Sequence, residues 1–358
     1  MKRQKFFWVL PVLFAALTLG CWFSSPKDAS LTERRKLAQM PKLTWNSLLS
    51  GSFASNFESY TQDQFPLREQ FRRAKALFSV KLLGRQDNNG IYESREGSFA
   101  QLEYPLNEAS VDYAAKRFGL VYDRYLSGSQ RVYVAAIPDK SQFLPVPKLD
   151  FAALTERLQE KMPYATSIDL SGTLTLESFY RTDTHWRQES ILPAAQALAK
   201  AMGKEIGSGF TVADTGICFK GVYAGQSALP VSGESMYYVT SPTLSAATVW
   251  DGEQGKAIGV YDFDRLTGRD PYEFYLSGSL SLVTLRNEKA AGKDRLILFR
   301  DSFGSSIAPY FLDCYQEVTL VDIRYIPVNR LGRLLDFENA DVLFLYSTLV
   351  LNHSETLK

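Results

Sequence analysis

Histidine is nearly absent from this chain: 358 residues hold only His185 and His353. Chemistry that needs an imidazole base therefore has two places to occur. Cysteine is sparse as well, with Cys21, Cys218 and Cys314. A small scaffold stapled by several disulfides is excluded, and no Cys/His cluster has the spacing of a metal site. Charge of one sign is missing: 40 Lys and Arg against 39 Asp and Glu leave a formal net charge of +1. No global bias points to nucleic acid. There is no internal repeat and no low-complexity tract. Apolar residues at 45% and charged residues at 22% are those of an ordinary folded protein, which excludes a disordered or collagen-like chain. The length suits one large or two ordinary domains. Aromatic residues are abundant, with 23 Phe and 19 Tyr. Such rings fill cores and also line carbohydrate-binding clefts.

The amino terminus reads as a membrane address. Lys2, Arg3 and Lys5 precede Phe6 to Phe23, an uncharged and mostly apolar run. A basic flank before such a run is an export signal or a single anchor with its basic end inside. Its length is near the lower limit for a spanning helix. No clean small-x-small cleavage site follows. Leu19-Gly20-Cys21 approaches a lipoprotein site, but Thr18 and Leu19 are off its pattern. An uncleaved signal anchor over residues 1–25 is the expectation, with cleaved secretion as the alternative. Either places the rest of the chain outside the cytoplasm. That compartment permits a disulfide, and Cys218 and Cys314 are open to pairing or to burial as small hydrophobes.

Beyond a polar linker, Leu48 to Leu83 reads as two helices broken at Phe65-Pro66, since Pro suits a first helical turn. Leu67, Phe71, Ala74, Phe78 and Leu82 recur at helical spacing and are expected to pack as core. Asn88-Asn89-Gly90 signals a turn between short strands, and Asn107 caps a helix running to about Tyr125. Strands and helices then alternate. Strands are expected at 131–137, 165–170, 295–299, 317–323 and 341–346. Helices are expected at 151–162, 186–202 (with Pro193 an irregularity), after Gly304, and at 328–337. Nearly continuous apolar strands between helices mean a parallel sheet covered on both faces. Residues 207–285 are rich in Gly, Ser, Thr and Tyr and read as an inserted strand and loop region. The expected organisation is a signal anchor (1–25), a linker and helical region (26–125), and an α/β domain (126–358).

Two segments carry chemistry. In Arg300-Asp301-Ser302-Phe303-Gly304 an apolar strand runs straight into a serine, a glycine and a helix. A serine there sits at the carboxyl edge of a parallel sheet, where open α/β folds bind ligands. The N–H groups of the following helix can hold a developing oxyanion. On this segment alone a plain helix cap is an equal reading. In Asp183-Thr184-His185-Trp186 the carboxylate and the imidazole are two residues apart, so on an extended segment they share a face. A serine hydroxyl needs a base to become a nucleophile, and a carboxylate fixes that base's tautomer. His353 lies near the carboxyl terminus and is the poorer base. Two clustered ligands are too few for a metal centre.

These motifs resemble the SGNH-hydrolase-like O-acetyltransferases of exopolysaccharide export, the alginate acetylation proteins and the related DHHW family. Glu33 to Ala38, the segment FESYTQDQFPLR at 57–68, Asn89 to Tyr92, VAAIPDK at 134–140 and LVDIRY at 320–325 extend the resemblance over most of residues 33–350. It implies an SGNH-like three-layer α/β/α domain behind an anchor and a helical amino-terminal region. It implies Ser302 as nucleophile, His185 as general base and acid, and Asp183 as orienting carboxylate, with Asp and His preceding Ser as in that family. Three positions depart from it: Thr184 stands at the second place of the DHHW pattern, Arg300 where typical SGNH members have Gly, and the oxyanion-hole Asn has no clear counterpart. Gly278, Asp301 and Trp186 are the oxyanion or binding candidates. The implied activity is extracytoplasmic O-acetyl transfer to a cell-surface or secreted polysaccharide through an acyl-serine. No cofactor is expected, and the acetyl donor is delivered by a membrane-bound O-acyltransferase partner. An esterase with the same three residues, and a non-catalytic polysaccharide-binding scaffold, are the alternatives.

Overall fold

A computed structural model describes residues 25–128, 131–290 and 293–358, together with Trp8, Pro11, Val12, Ala15 and Gly20. The expected anchor over 1–25 thus falls, but for Ser25 and those five, outside the described residues. Among the described residues no helix is long and apolar enough to cross a membrane. Two compact units divide the chain: Met1–Tyr92 with Val222–Ser232, and Glu93–Gly221 with Gly233–Lys358.

In the first unit, β1 (Ala29–Ser30) pairs antiparallel with β2 (Arg35–Lys36), and β3 (Asp87–Asn88) with β4 (Ile91–Glu93). The predicted turn between β3 and β4 is present, with Asn89 and Gly90 both left-handed (φ 56° and 75°), as a tight hairpin turn requires. Helices α1 (Trp45–Leu49), α2 (Ser52–Asp63) and α3 (Arg68–Leu77) follow one another, with the break at Phe65-Pro66 in place. Thr44 caps α1 by accepting the Ser47 N–H at 3.1 Å. The expected core stripe is a correction. Leu67, Phe71, Ala74, Phe78 and Leu82 are all exposed, and the one buried residue of α3 is Ala76. Helical spacing shows that residues share a face, but not what that face meets.

The second unit is built on an eight-stranded sheet. After β5 (Phe99–Gln101), which lies outside that sheet, its members are β6 (Val132–Ile137), β7 (Thr166–Ser167), β10 (Thr248–Asp251), β11 (Lys256–Ile258), β12 (Leu282–Arg286), β13 (Arg295–Arg300), β14 (Glu317–Val321) and β15 (Ala340–Ser347). The spatial order is β11-β10-β12-β14-β13-β15-β6-β7. From β14 to β7 the strands are parallel, and β12, β10 and β11 join through antiparallel pairings. The sheet is therefore mixed, not purely parallel. The region expected as a separate insertion supplies three of its strands, and also the hairpin β8 (Thr211–Phe219) with β9 (Glu234–Thr240).

Both faces are covered, as the continuous apolar strands require. Leu296 and Leu298 of β13 enter one core with α6 (Leu192–Ala201) and α7 (Gly304–Phe311). Ile297 and Phe299 enter the other with α4 (Glu108–Val121) and α5 (Phe151–Lys161). Asn107 caps α4 by accepting the Ser110 N–H at 3.1 Å. The helix expected from Trp186 starts only at Leu192, with Pro193 in its first turn, because Trp186 is instead bridged to Phe179. The 165–170 strand is two residues long, and the 328–337 helix is a 3-10 turn at Val328–Arg333. Cys218 and Cys314 are free thiols.

Candidate active site

The geometry starts at the end of β13. Asp301 is fully buried; its Oδ1 accepts the Phe303 N–H at 3.0 Å and its Oδ2 the Ser347 N–H at 2.8 Å. That carboxylate folds the chain back over the strand end and ties it to the end of β15. It is a structural tie, spent on backbone. Helix α7 can begin so close to the strand because Gly304 has no side chain: a Cβ there would lie 2.6 Å from Arg300 Cβ. Ser302 stands at this elbow, partly exposed. Its N–H donates to no group among the described residues, leaving a free donor beside the hydroxyl at the start of α7.

Arg300 is buried completely. Its Nη1 donates to the Asp301 carbonyl at 3.3 Å and its Nη2 to the Leu280 carbonyl at 3.1 Å. The departure noted in sequence thus has a physical role, since the guanidinium bridges the serine elbow to the loop at 276–280. Leu276, Ser277 and Gly278 in that loop all have positive φ (53°, 57° and 89°). The Gly278 N–H is committed to the Tyr275 carbonyl at 3.2 Å, so as it stands it is not free to hold an oxyanion.

The second segment meets the first. Nδ1 of His185 lies 2.7 Å from Asp183 Oδ1, and Nε2 lies 2.8 Å from Ser302 Oγ. A carboxylate partner assigns the proton to Nδ1, which leaves Nε2 to accept from the serine hydroxyl. Asp183 is fully buried and His185 nearly so. Tyr272 stacks on the imidazole, centroids 3.8 Å apart and planes 8° off parallel, and Phe303 flanks it at 5.0 Å. Burial raises the Tyr272 phenol far above its ordinary value. It stays neutral and hydrogen-bonds Ser306 at 2.7 Å. Trp186 donates to the same Ser306 hydroxyl at 2.7 Å and to the Phe303 carbonyl at 3.2 Å, so it fastens the histidine segment to α7.

The turn 180–185 is held from two sides by charged groups, one of them, Lys140, fully buried. The Lys140 ammonium, just past β6, donates to the carbonyls of Tyr180 (2.8 Å), Arg181 (3.1 Å) and Asp183 (2.6 Å). Burial pushes it down to about 8, against the pull of Asp139, Asp183 and Glu234. Glu234 of β9 accepts the N–H groups of Arg181 (2.7 Å) and Thr182 (2.6 Å). Gly221 donates to Thr182 Oγ1 at 2.8 Å. It lies so near Asp183 that a Cβ would come within 2.4 Å of its backbone. Sequence reasoning did not assign Lys140, Glu234, Gly221 or Tyr272 to the site. Lys140 had a usable signal, as a cation directly after an apolar strand at the sheet's carboxyl edge; the other three had none. His353 contacts Glu103 at 2.8 Å and takes no part. Among the described residues no group of three or more His, Cys, Asp or Glu could hold a metal ion.

No family model and no curated protein sequence matches the chain. Solved structures do share its fold. A DHHW family protein from Eubacterium siraeum is similar with a TM-score of 0.58 at 18% identity, over 75% of this chain and 95% of that one. Bacillus cereus PatB1 with a sulfonyl adduct gives 0.57 at 16% identity, over 73% and 95%. A further structure of PatB1 gives 0.55 at 17%, over 73% and 96%. The resemblance carried by the Asp183 and Ser302 segments has its counterpart in the fold.

Proposed function

We propose that the chain is an extracytoplasmic O-acetyltransferase acting on a cell-surface or secreted polysaccharide through an acyl-serine. The observation that carries this reading is the line of contacts from Asp183 through His185 to Ser302. Ser302 Oγ attacks the carbonyl of the acetyl donor while His185 Nε2 takes its proton. The Asp183 carboxylate stabilises the imidazolium that forms. The tetrahedral oxyanion lies beside the unused Ser302 N–H. Collapse expels the donor's leaving group, which receives the proton from His185, and leaves acetyl-Ser302. A glycan hydroxyl then gives its proton to His185 as it attacks the acyl carbon; the Ser302 Oγ–acyl bond breaks, His185 returns the proton to Ser302 Oγ, and the glycan departs as the ester. Outside the cytoplasm acetyl-CoA is not at hand, so the donor is delivered by a membrane-bound O-acyltransferase partner. The neighbour solved as a sulfonyl adduct fits this reading, since an activated nucleophile forms such adducts.

The test is incubation with an activated acetyl ester, with and without oligosaccharide. Acetyl-Ser302 by mass spectrometry and transfer to sugar are expected, and Ser302→Ala loses at least about a hundredfold. Fast turnover to water without transfer makes the protein an esterase. Absence of any acyl-Ser302 leaves a non-catalytic scaffold.

A further inference from the structure

Large exposed apolar side chains are concentrated in one part of this molecule. Of 23 among the described residues, 13 lie between Leu31 and Leu83, a stretch holding about a seventh of the sequence. Scattered exposed apolar residues need no explanation, but a concentration marks a contact surface. The residues are ordered along helices. Trp45 (79% exposed) and Leu49 (82%) sit four apart on α1. Phe71, Phe78 and Leu82 (71%) continue one stripe along α3 and the turn after it. The charge distribution names the occupant. Residues 26–92, beyond the apolar run, carry 11 Lys and Arg against 6 Asp and Glu, while residues 93–358 carry 26 against 33. Lys42, Arg73, Lys75, Lys81 and Arg85 are exposed among the apolar positions. The uncharged run Phe6 to Phe23 leads into the same unit.

We infer that the first unit docks on an anionic lipid bilayer, with the apolar stripes of α1 and α3 lying in the headgroup–acyl boundary and the basic side chains reaching the lipid phosphates. Trp, Phe and Leu on one side with interspersed Lys and Arg is the composition of helices that lie in the interface plane, and anionic headgroups attract such basic segments over about a Debye length. A second copy of this chain would meet the same positive unit, which argues against self-association through it.

The full chain is reconstituted in vesicles of phosphatidylcholine alone and of phosphatidylcholine with about one third phosphatidylglycerol, and amide hydrogen exchange is compared. Exchange over residues 45–49 and 67–83 is expected to slow at least about fivefold in the anionic vesicles. The slowing should be lost at high salt and in a Phe71→Ser/Phe78→Ser/Leu82→Ser variant. These side chains are exposed, so the variant keeps its fold and its turnover of a soluble acetyl ester, a readout that stands or falls separately. Equal exchange in both vesicle types, or protection that appears only with native membrane proteins present, overturns the inference. The second outcome assigns the surface to a protein partner.

Discussion

At the scale of single residues, the site depends on a cation that touches neither the serine nor the imidazole. Lys140 fills three carbonyls of the turn that carries Asp183 and His185. A buried acceptor left without a donor costs about 1–3 kcal/mol, so losing the ammonium loosens the turn. Lys140→Met is expected to lower kcat about tenfold or more while KM for a small ester stays within about twofold. Lys140 acts as a positioning residue. A purely structural role would lower the melting temperature and leave the kcat of the folded fraction unchanged. The pH dependence separates the two further. Burial lowers the Lys140 value to about 8, so above that pH the ammonium loses its proton, and the amine has fewer hydrogens than carbonyls to fill. An alkaline decline in kcat near pH 8 is expected, and it should vanish in the Met variant. Stability moves the other way. From about pH 8 up to the ordinary Lys value the unfolded chain binds the extra proton, so this group alone makes the native state more stable as pH rises.

At the scale of elements, local signals fix the helix starts, and a cap can be tested without touching the site. Asp150 accepts the Ala153 N–H at 3.0 Å at the start of α5 and is exposed. Asp150→Ala should cost about 1 kcal/mol in denaturant unfolding, with ester turnover unchanged; a neutral result would mean that water replaces the cap. The same locality decides what could be read in advance. The β13–Ser302–α7 elbow was legible because strand, serine and glycine are adjacent in sequence, and the Asp183/His185 pair because a single residue separates them. Lys140, Glu234, Gly221 and Tyr272 come from four distant segments, so only the folded chain brings them to one turn. The sheet's antiparallel extension was missed for a related reason. Strands β10 to β12 are short and partly exposed, and nothing in their sequence names a partner. The stripe on α3 had the right period and the wrong environment. Period follows from helix geometry alone, whereas burial depends on what else the chain brings to that face.

At the scale of the whole molecule, the two units are held by different forces, and acid should separate them. The sheet of the second unit lies between two apolar cores, whose stabilisation does not titrate. The first unit leaves much of its apolar surface exposed and gathers charge instead. Glu33 meets Arg68 at 2.6 Å, Arg72 at 3.3 Å and Arg35 at 3.4 Å, and Asp63 receives two hydrogen bonds from Arg35. Burial works to raise the Glu33 carboxyl, but the Arg68 hydrogen bond and the nearby guanidinium charges hold it below the ordinary value. The Arg35 hydrogen bonds hold Asp63 low as well. A carboxylate lowered in the folded state contributes stability that is complete above its unfolded value, about 4, and is lost as pH falls through the folded value. Calorimetry from pH 6 down to pH 3 should therefore resolve a minor transition that moves to lower temperature below about pH 4.5, while the major transition moves less. Glu33→Gln removes the charge at the centre of the cluster. It should bring the minor transition down already at pH 6 and flatten its dependence on acid. If both transitions fall together in the wild-type protein, the guanidinium–carboxylate cluster is not what holds the first unit, and its few buried apolar side chains must suffice.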